Sequence, residues 1–106
     1  MKIEIGDFIM VETKTVGDSF GNVLYRVEEV GLDVLGGEND GVSLRMLGGS
    51  GRLARPGIKI IDNVRSLTLL FANGRAEFVD KGRGDALTKK YSDESGGLFR
   101  TGVIEF

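Results

Sequence analysis

Glycine-rich turns divide this chain of 106 residues into short apolar segments. The chain holds 17 glycines, and none of its apolar runs approaches the roughly 20 residues that a membrane-spanning helix needs. Between the turns, apolar and polar side chains alternate, for example at Val23, Tyr25 and Val27. A spacing of two residues is typical of a strand with one buried face. The chain is therefore constrained to a fold of many short strands.

The pattern predicts six to seven strands. Residues 81–97 are polar and glycine-rich, and they predict a flexible excursion with at most one helical turn. Short strands joined by glycine-rich turns are typical of a small barrel or sandwich. We therefore expect residues 1–106 to form a single, mainly β domain with one short helix. The predicted strands lie near residues 8–15, 23–30, 42–46, 58–61, 75–79 and 98–106, with residues 66–72 as a seventh if they are not helical.

Residues 64–72 are compatible with two structures. Asp62 or Asn63 can cap a helix that ends at Gly74. Alternatively, Asn73 and Gly74 form the tip of a hairpin. The helix is favoured because cap signals stand at both of its ends and the apolar run before Asn73 breaks the alternation of a strand.

The chain opens with the run Ile5-Gly6-Asp7-Phe8-Ile9-Met10-Val11, and a second apolar run follows at residues 21–27 after a polar turn. A start of the form Gly-Asp-x-apolar-x-apolar before a strand that bends back resembles the first hairpin of SH3-like small barrels. The resemblance covers residues 3–30. It implies the fold alone, because SH3-like barrels serve many unrelated functions.

The chain contains neither cysteine nor histidine. This excludes disulfides, thiolate nucleophiles, Ser-His-Asp catalysis and metal sites built on those residues. The turn at residues 36–41 carries three neighbouring oxygen-bearing side chains, but it lacks the alternate spacing of a calcium-binding loop. Glu28 and Glu29 are neighbours in a predicted strand, so they should face opposite sides and make a poor acid/base pair. We expect no enzyme activity, no catalytic residue, no metal and no cofactor.

Charge is unevenly distributed along the chain, although the formal net charge is only −2. Residues 1–40 carry a net charge of −6, residues 41–75 carry +5 and residues 76–106 carry −1. The sequence pI near 5.1 argues against general nucleic-acid binding. The first residues hold no apolar leader, which predicts a cytoplasmic protein without a membrane partner.

The basic middle segment centres on a glycine-rich loop between two predicted strands, from Gly48 to Gly57. Its small residues leave backbone N–H groups unobstructed, and concave arrays of such groups bind anions. Arg52 and Arg55 can each bind phosphate oxygens through two N–H groups. The same composition is also typical of an ordinary solvated turn, so both interpretations stay open. The anion site would comprise Gly48, Gly49, Ser50, Gly51, Arg52 and Arg55 in the loop, Arg45 and Lys59 on the adjoining strands, and Tyr25, which either stacks on a base or fills the core.

These observations lead to two hypotheses. In the first, the chain is a non-catalytic binding protein for a phosphorylated small molecule, such as a nucleotide or a cyclic nucleotide signal. In its small size and its lack of histidine and cysteine, the chain resembles accessory proteins encoded by phages and mobile elements. In the second, the chain is a structural or interaction module that forms homo-oligomers through its acidic residues 1–40 and its basic residues 41–75.

Overall fold

The computed structural model describes residues 2–12, 22–33, 39–50 and 56–102, with the side chains of the last helix described as far as Asp93. Strands predominate in this part of the chain, which confirms the β-rich prediction. The elements in chain order are β1 (Phe8–Glu12), β2 (Asn22–Leu32), β3 (Gly41–Gly49), β4 (Lys59–Asn63), α1 (Val64–Ala72), β5 (Ala76–Val79) and α2 (Lys81–Gly102).

The five described strands form one antiparallel sheet in the order β4-β3-β2-β1-β5. β1 pairs with β2, with Phe8 opposite Arg26 and Glu12 opposite Asn22, so the expected first hairpin is present. β4 and β5 lie at opposite edges and do not pair, so the sheet is open. The expected barrel or sandwich of six to seven strands is therefore wrong for the described residues. The reason is that residues 64–72 form a helix instead of a further strand, and that α2 takes up residues 98–102.

Strand alternation gives the sheet two faces, and each face packs against one helix. α1 covers the face with the larger core, and α2 covers part of the other. The larger core comprises Ile9, Val11, Val23, Tyr25, Val27, Val42, Leu44, Met46, Leu67 and Ala76. The smaller core comprises Phe8, Leu24, Leu47 and Val79, with Met10, Leu87 and Tyr91 packed against it.

The helical interpretation of residues 64–72 is confirmed. Asn63 caps α1, because its side-chain Oδ1 accepts a hydrogen bond from the N–H of Ser66 at 2.7 Å. Leu67 is 1% exposed and fixes the buried side of the helix. After the helix, Gly74 adopts a φ of +70°, a left-handed conformation that glycine takes without a steric penalty.

α2 replaces the irregular excursion expected at residues 81–97 and part of the last strand expected at residues 98–106; residues 103–106 lie outside the described part. Asp80 caps α2, since its Oδ1 accepts a hydrogen bond from the N–H of Arg83 at 2.9 Å. Leu87 and Tyr91, four residues apart, then pack on the sheet. The five glycines of α2 lower its helix propensity. For this reason the composition of the segment did not indicate a helix, although Leu87 and Tyr91 share one side of it.

Two glycines allow α2 to approach the sheet closely. A Cβ atom at Gly84 of α2 would overlap the ring of Phe8 in β1. A Cβ atom at Gly48 of β3 would overlap the side chain of Tyr91 in α2. The helix and the sheet therefore each contribute one glycine. The space beside each of these glycines is filled by an aromatic side chain of the other element.

Substitution of Gly84 by alanine should destabilise the protein, although alanine is the better helix former. Overpacking costs about 1–3 kcal/mol, whereas the gain in helix propensity is about 1 kcal/mol. Gly82→Ala is the matched control, because a Cβ atom there would lie 3.5 Å from Asp80 Oδ1, an ordinary contact. Both variants gain helix propensity, so in urea denaturation we expect the free energy of unfolding of Gly84→Ala to lie below that of Gly82→Ala by the overpacking cost, about 1–3 kcal/mol. Equal stability of the two variants would contradict the packing of Gly84 on Phe8.

Candidate functional site

The predicted glycine-rich loop is shorter than expected, because β3 continues to Gly49. The loop leaves the sheet at Ser50, whose N–H donates to the carbonyl oxygen of Asn22 at 3.0 Å. The N–H of Asn22 in turn donates to Ser50 Oγ at 2.9 Å. The loop returns at Gly57, whose N–H donates to the carbonyl oxygen of Met46 at 2.8 Å. Both ends of the loop are therefore bound to the sheet.

The residues predicted to bind an anion do not all lie in the loop. Gly48 and Gly49 belong to β3 and pair with β2, so they are part of the ladder and not of the loop. Gly51, Arg52 and Arg55 lie outside the described residues. The prediction of an anion site therefore depends on the loop itself and not on the backbone of the two preceding glycines.

Arg45 binds groups of its own chain. Its Nη2 and Nε lie 2.9 Å and 3.1 Å from Oε1 of Glu28. Its Nη1 donates to the carbonyl oxygen of Gly57 at 2.8 Å. Arg26 contacts the other carboxylate oxygen of Glu28 at 3.3 Å. Because Gly57 ends the loop, Arg45 connects the returning end of the loop to β2.

Lys59 also binds a carboxylate, with its Nζ 3.0 Å from Oε1 of Glu29. Lys59 lies opposite Arg45 in the β3–β4 ladder, so the two basic residues share one face of the sheet. Glu28 and Glu29 both contact cations of this face, and the expectation that they face opposite sides is wrong. The β2–β3 register shifts between Val27 and Glu29, and such an irregularity breaks the alternation of a regular strand.

Glu28 is held in its charged form. The hydrogen bond from Arg45 lowers the pKa of Glu28, partial burial opposes this effect, and the hydrogen bond from Arg26 adds to the lowering. Sequence reasoning did not anticipate these ion pairs. Their signal, acidic residues in β2 and basic residues in β3 and β4, becomes recognisable only when the strand order is known.

Tyr25 lies on the opposite face of the sheet. It is 9% exposed within the larger core, and burial raises the pKa of its phenol, with the negative charge of Asp62 adding to the effect. Its neighbour Arg26 lies opposite Arg45 in the ladder, so Tyr25 points away from the basic residues. The interpretation of Tyr25 as a core residue is confirmed, and the structure does not bring it to Arg45 and Lys59.

No family model, no curated protein and no solved structure matches this chain. None of the helices in the described part combines the length and apolar character that crossing a membrane requires. Among the described residues, no group of three metal-ligating side chains converges.

Glu28→Gln should lower stability more at neutral pH than at acidic pH. Folding lowers the pKa of Glu28, so its charge stabilises the fold above the pKa of the unfolded chain. This stabilisation is lost as the pH falls through the folded pKa. We expect the difference in melting temperature between the wild type and Glu28→Gln to shrink as the pH falls from about 7 to about 3. Glu4→Gln, at an exposed carboxylate beside the exposed Lys2, is the control. A difference for Glu28→Gln that is the same at every pH would contradict this role.

Proposed function

We propose that this chain is a non-catalytic binding module for a phosphorylated small molecule, such as a nucleotide or a cyclic nucleotide signal, held by residues 50–57. The anchoring of both ends of this segment carries the proposal. Ser50 is bound to Asn22, and Gly57 is bound to Met46 and Arg45. A segment with both ends fixed loses less conformational freedom on binding than one with free ends, which favours binding.

In this proposal Arg52 and Arg55 bind the phosphate oxygens, because guanidinium groups match them in a two-point geometry. Arg45 is a positioning residue. It holds the carbonyl oxygen of Gly57 while Glu28 neutralises its charge, so it presents little free charge to a ligand.

Lys59 supplies a further cation on the same face as Arg45. Its side chain is 44% exposed, and its ion pair with Glu29 is open to solvent, where such pairs are weak. Lys59 can therefore turn towards an anion on the same face. The buried Tyr25 has no part in the proposed site.

Binding is proposed instead of catalysis because the chain has no histidine or cysteine to serve as a base or a nucleophile. An SH3-like relationship of residues 3–30 and a cytoplasmic location are parts of the same proposal. The antiparallel pairing of β1 with β2 supports the former.

Removal of both loop arginines should strongly weaken the binding of phosphorylated ligands. The probes are inorganic phosphate, nucleoside mono- and triphosphates and cyclic dinucleotides, titrated by calorimetry. Hydrogen bonds to charged groups contribute about 1.5–3 kcal/mol each, so we expect Arg52→Ala/Arg55→Ala to weaken binding by at least about a hundredfold.

Lys89→Ala/Lys90→Ala is the matched control, because it removes the same charge from two exposed positions of α2. It should retain the affinity of the wild type. The proposal fails if the two double variants bind equally well, or if the wild type binds none of the probes.

The alternative function is homo-oligomerisation through the acidic residues 1–40 and the basic residues 41–75. Two contacts weaken the case for it. Glu28 with Arg45, and Glu29 with Lys59, pair these two segments within one chain and leave fewer charges for a second copy.

Light scattering at low and high salt separates the two functions. Assembly through complementary charges predicts a mass above 11.5 kDa at low salt that falls as salt screens the charges. Pairing of the charges within the chain predicts a mass that does not change with salt, and this is the result we expect. A salt-sensitive mass would favour the alternative.

A further inference from the structure

A cleft of about 180 Å³ opens at the edge of the sheet where β1 ends and where β2 and β5 begin. Met10 and Glu12 follow Phe8 at intervals of two residues along β1, so the three side chains share a face of the sheet. The cleft therefore lies on the face that α2 partly covers, beyond the contact of α2 with Phe8. Its walls include Met10, Glu12, Asn22, Gly74, Arg75 and Glu77.

The backbone of Arg75 is fixed between α1 and β1. Its N–H donates to the carbonyl oxygen of Leu70 at 2.9 Å, and its carbonyl oxygen accepts the N–H of Glu12 at 2.7 Å. The preceding Gly74 turns the chain with a positive φ. The guanidinium of Arg75 is thus attached to a rigid part of the fold at the wall of the cleft.

One donor of the Arg75 side chain is buried. Its Nε is shielded from solvent, and no hydrogen-bond acceptor for it lies among the described residues. A buried donor without an acceptor is unfavourable, and arginine has no alternative protonation state that would relieve it. Because Nε is shielded in this conformation, a carboxylate in the cleft can accept from Nε–H and an Nη–H together only after the guanidinium turns Nε towards the cleft.

The other charged residues of the cleft restrict the ligand further. Glu12 and Glu77 both line it and are exposed, and the guanidinium of Arg83 lies 3.9 Å from the carboxylate of Glu77. Two carboxylates beside one guanidinium repel an anion of multiple charge, and they attract an ammonium group.

We propose that this cleft binds a small zwitterion of the size of a free α-amino acid. Arg75 holds its carboxylate, and Glu12 and Glu77 face its ammonium group. This site and its ligand class are distinct from the phosphate site proposed at residues 50–57, and neither proposal depends on the other.

The test is an NMR titration of the full, ¹⁵N-labelled chain with four probes at constant ionic strength. L-alanine carries both charges, acetate only the carboxylate, methylammonium only the ammonium, and inorganic phosphate a higher negative charge. The Nε–H signal of Arg75 reports directly on the proposed contact. We expect L-alanine to shift it at the lowest concentration, acetate to act more weakly, and phosphate and methylammonium to leave it unchanged. An unchanged signal with L-alanine, or tighter binding of phosphate, would overturn the proposal.

Two variants test the roles of Arg75 and Glu77 separately. Arg75→Gln should weaken L-alanine binding by about tenfold to a hundredfold, whereas the exposed Lys89→Gln should not change it. Glu77→Gln removes one partner of the ammonium group, so it should reduce the preference for L-alanine over acetate. If Arg75→Gln does not fold, two measurements still test the proposal. They are the Nε–H signal of the wild type and the ratio of L-alanine to acetate affinity in Glu77→Gln. An unaltered ratio in Glu77→Gln would refute the role of the carboxylates.

Discussion

The fold depends on the close approach of α2 to the sheet, which two glycines make possible. Gly84 of the helix accepts the ring of Phe8, and Gly48 of β3 accepts the side chain of Tyr91. Protein interiors are close-packed, so such contacts permit one geometry and tolerate little added volume. They place a polar, glycine-rich helix over an apolar patch that includes Leu24. Without α2 this patch would face water, and burial of apolar area is the main favourable contribution to folding.

The position of α2 also separates two polar surfaces on the same face of the sheet. Along β2, the successive side chains on this face are those of Asn22, Leu24 and Arg26. Asn22 lines the cleft, Leu24 lies in the core that Leu87 and Tyr91 pack against, and Arg26 joins the ion pairs. One surface combines a single guanidinium with two carboxylates, and the other combines alternating cations and carboxylates. They therefore differ in their arrangement of charge.

Which charged residues pair with one another depends more on the order of the strands in the sheet than on the order of residues in the chain. The acidic first part and the basic middle part meet where β2 lies beside β3, and they largely neutralise one another there. Arg45 illustrates the consequence: its charge is balanced by Glu28, and its remaining N–H group fixes the carbonyl oxygen of Gly57. A residue that resembles a ligand-binding cation in the sequence thus acts mainly on the conformation of a loop.

The sequence alone determined the features that depend on neighbouring residues. Strand alternation predicted the first hairpin, and Asn63 and Gly74 predicted the start and end of α1, because capping and left-handed turns are local chemistry. Tertiary structure decided the rest. The partner of Arg45 depends on which strand lies beside β3, and the role of Gly48 depends on Tyr91, 43 residues later in the chain. A missing Cβ has the same local effect in a turn, in an anion-binding loop and beneath an aromatic ring. Only the packing of distant segments determines which group occupies that space.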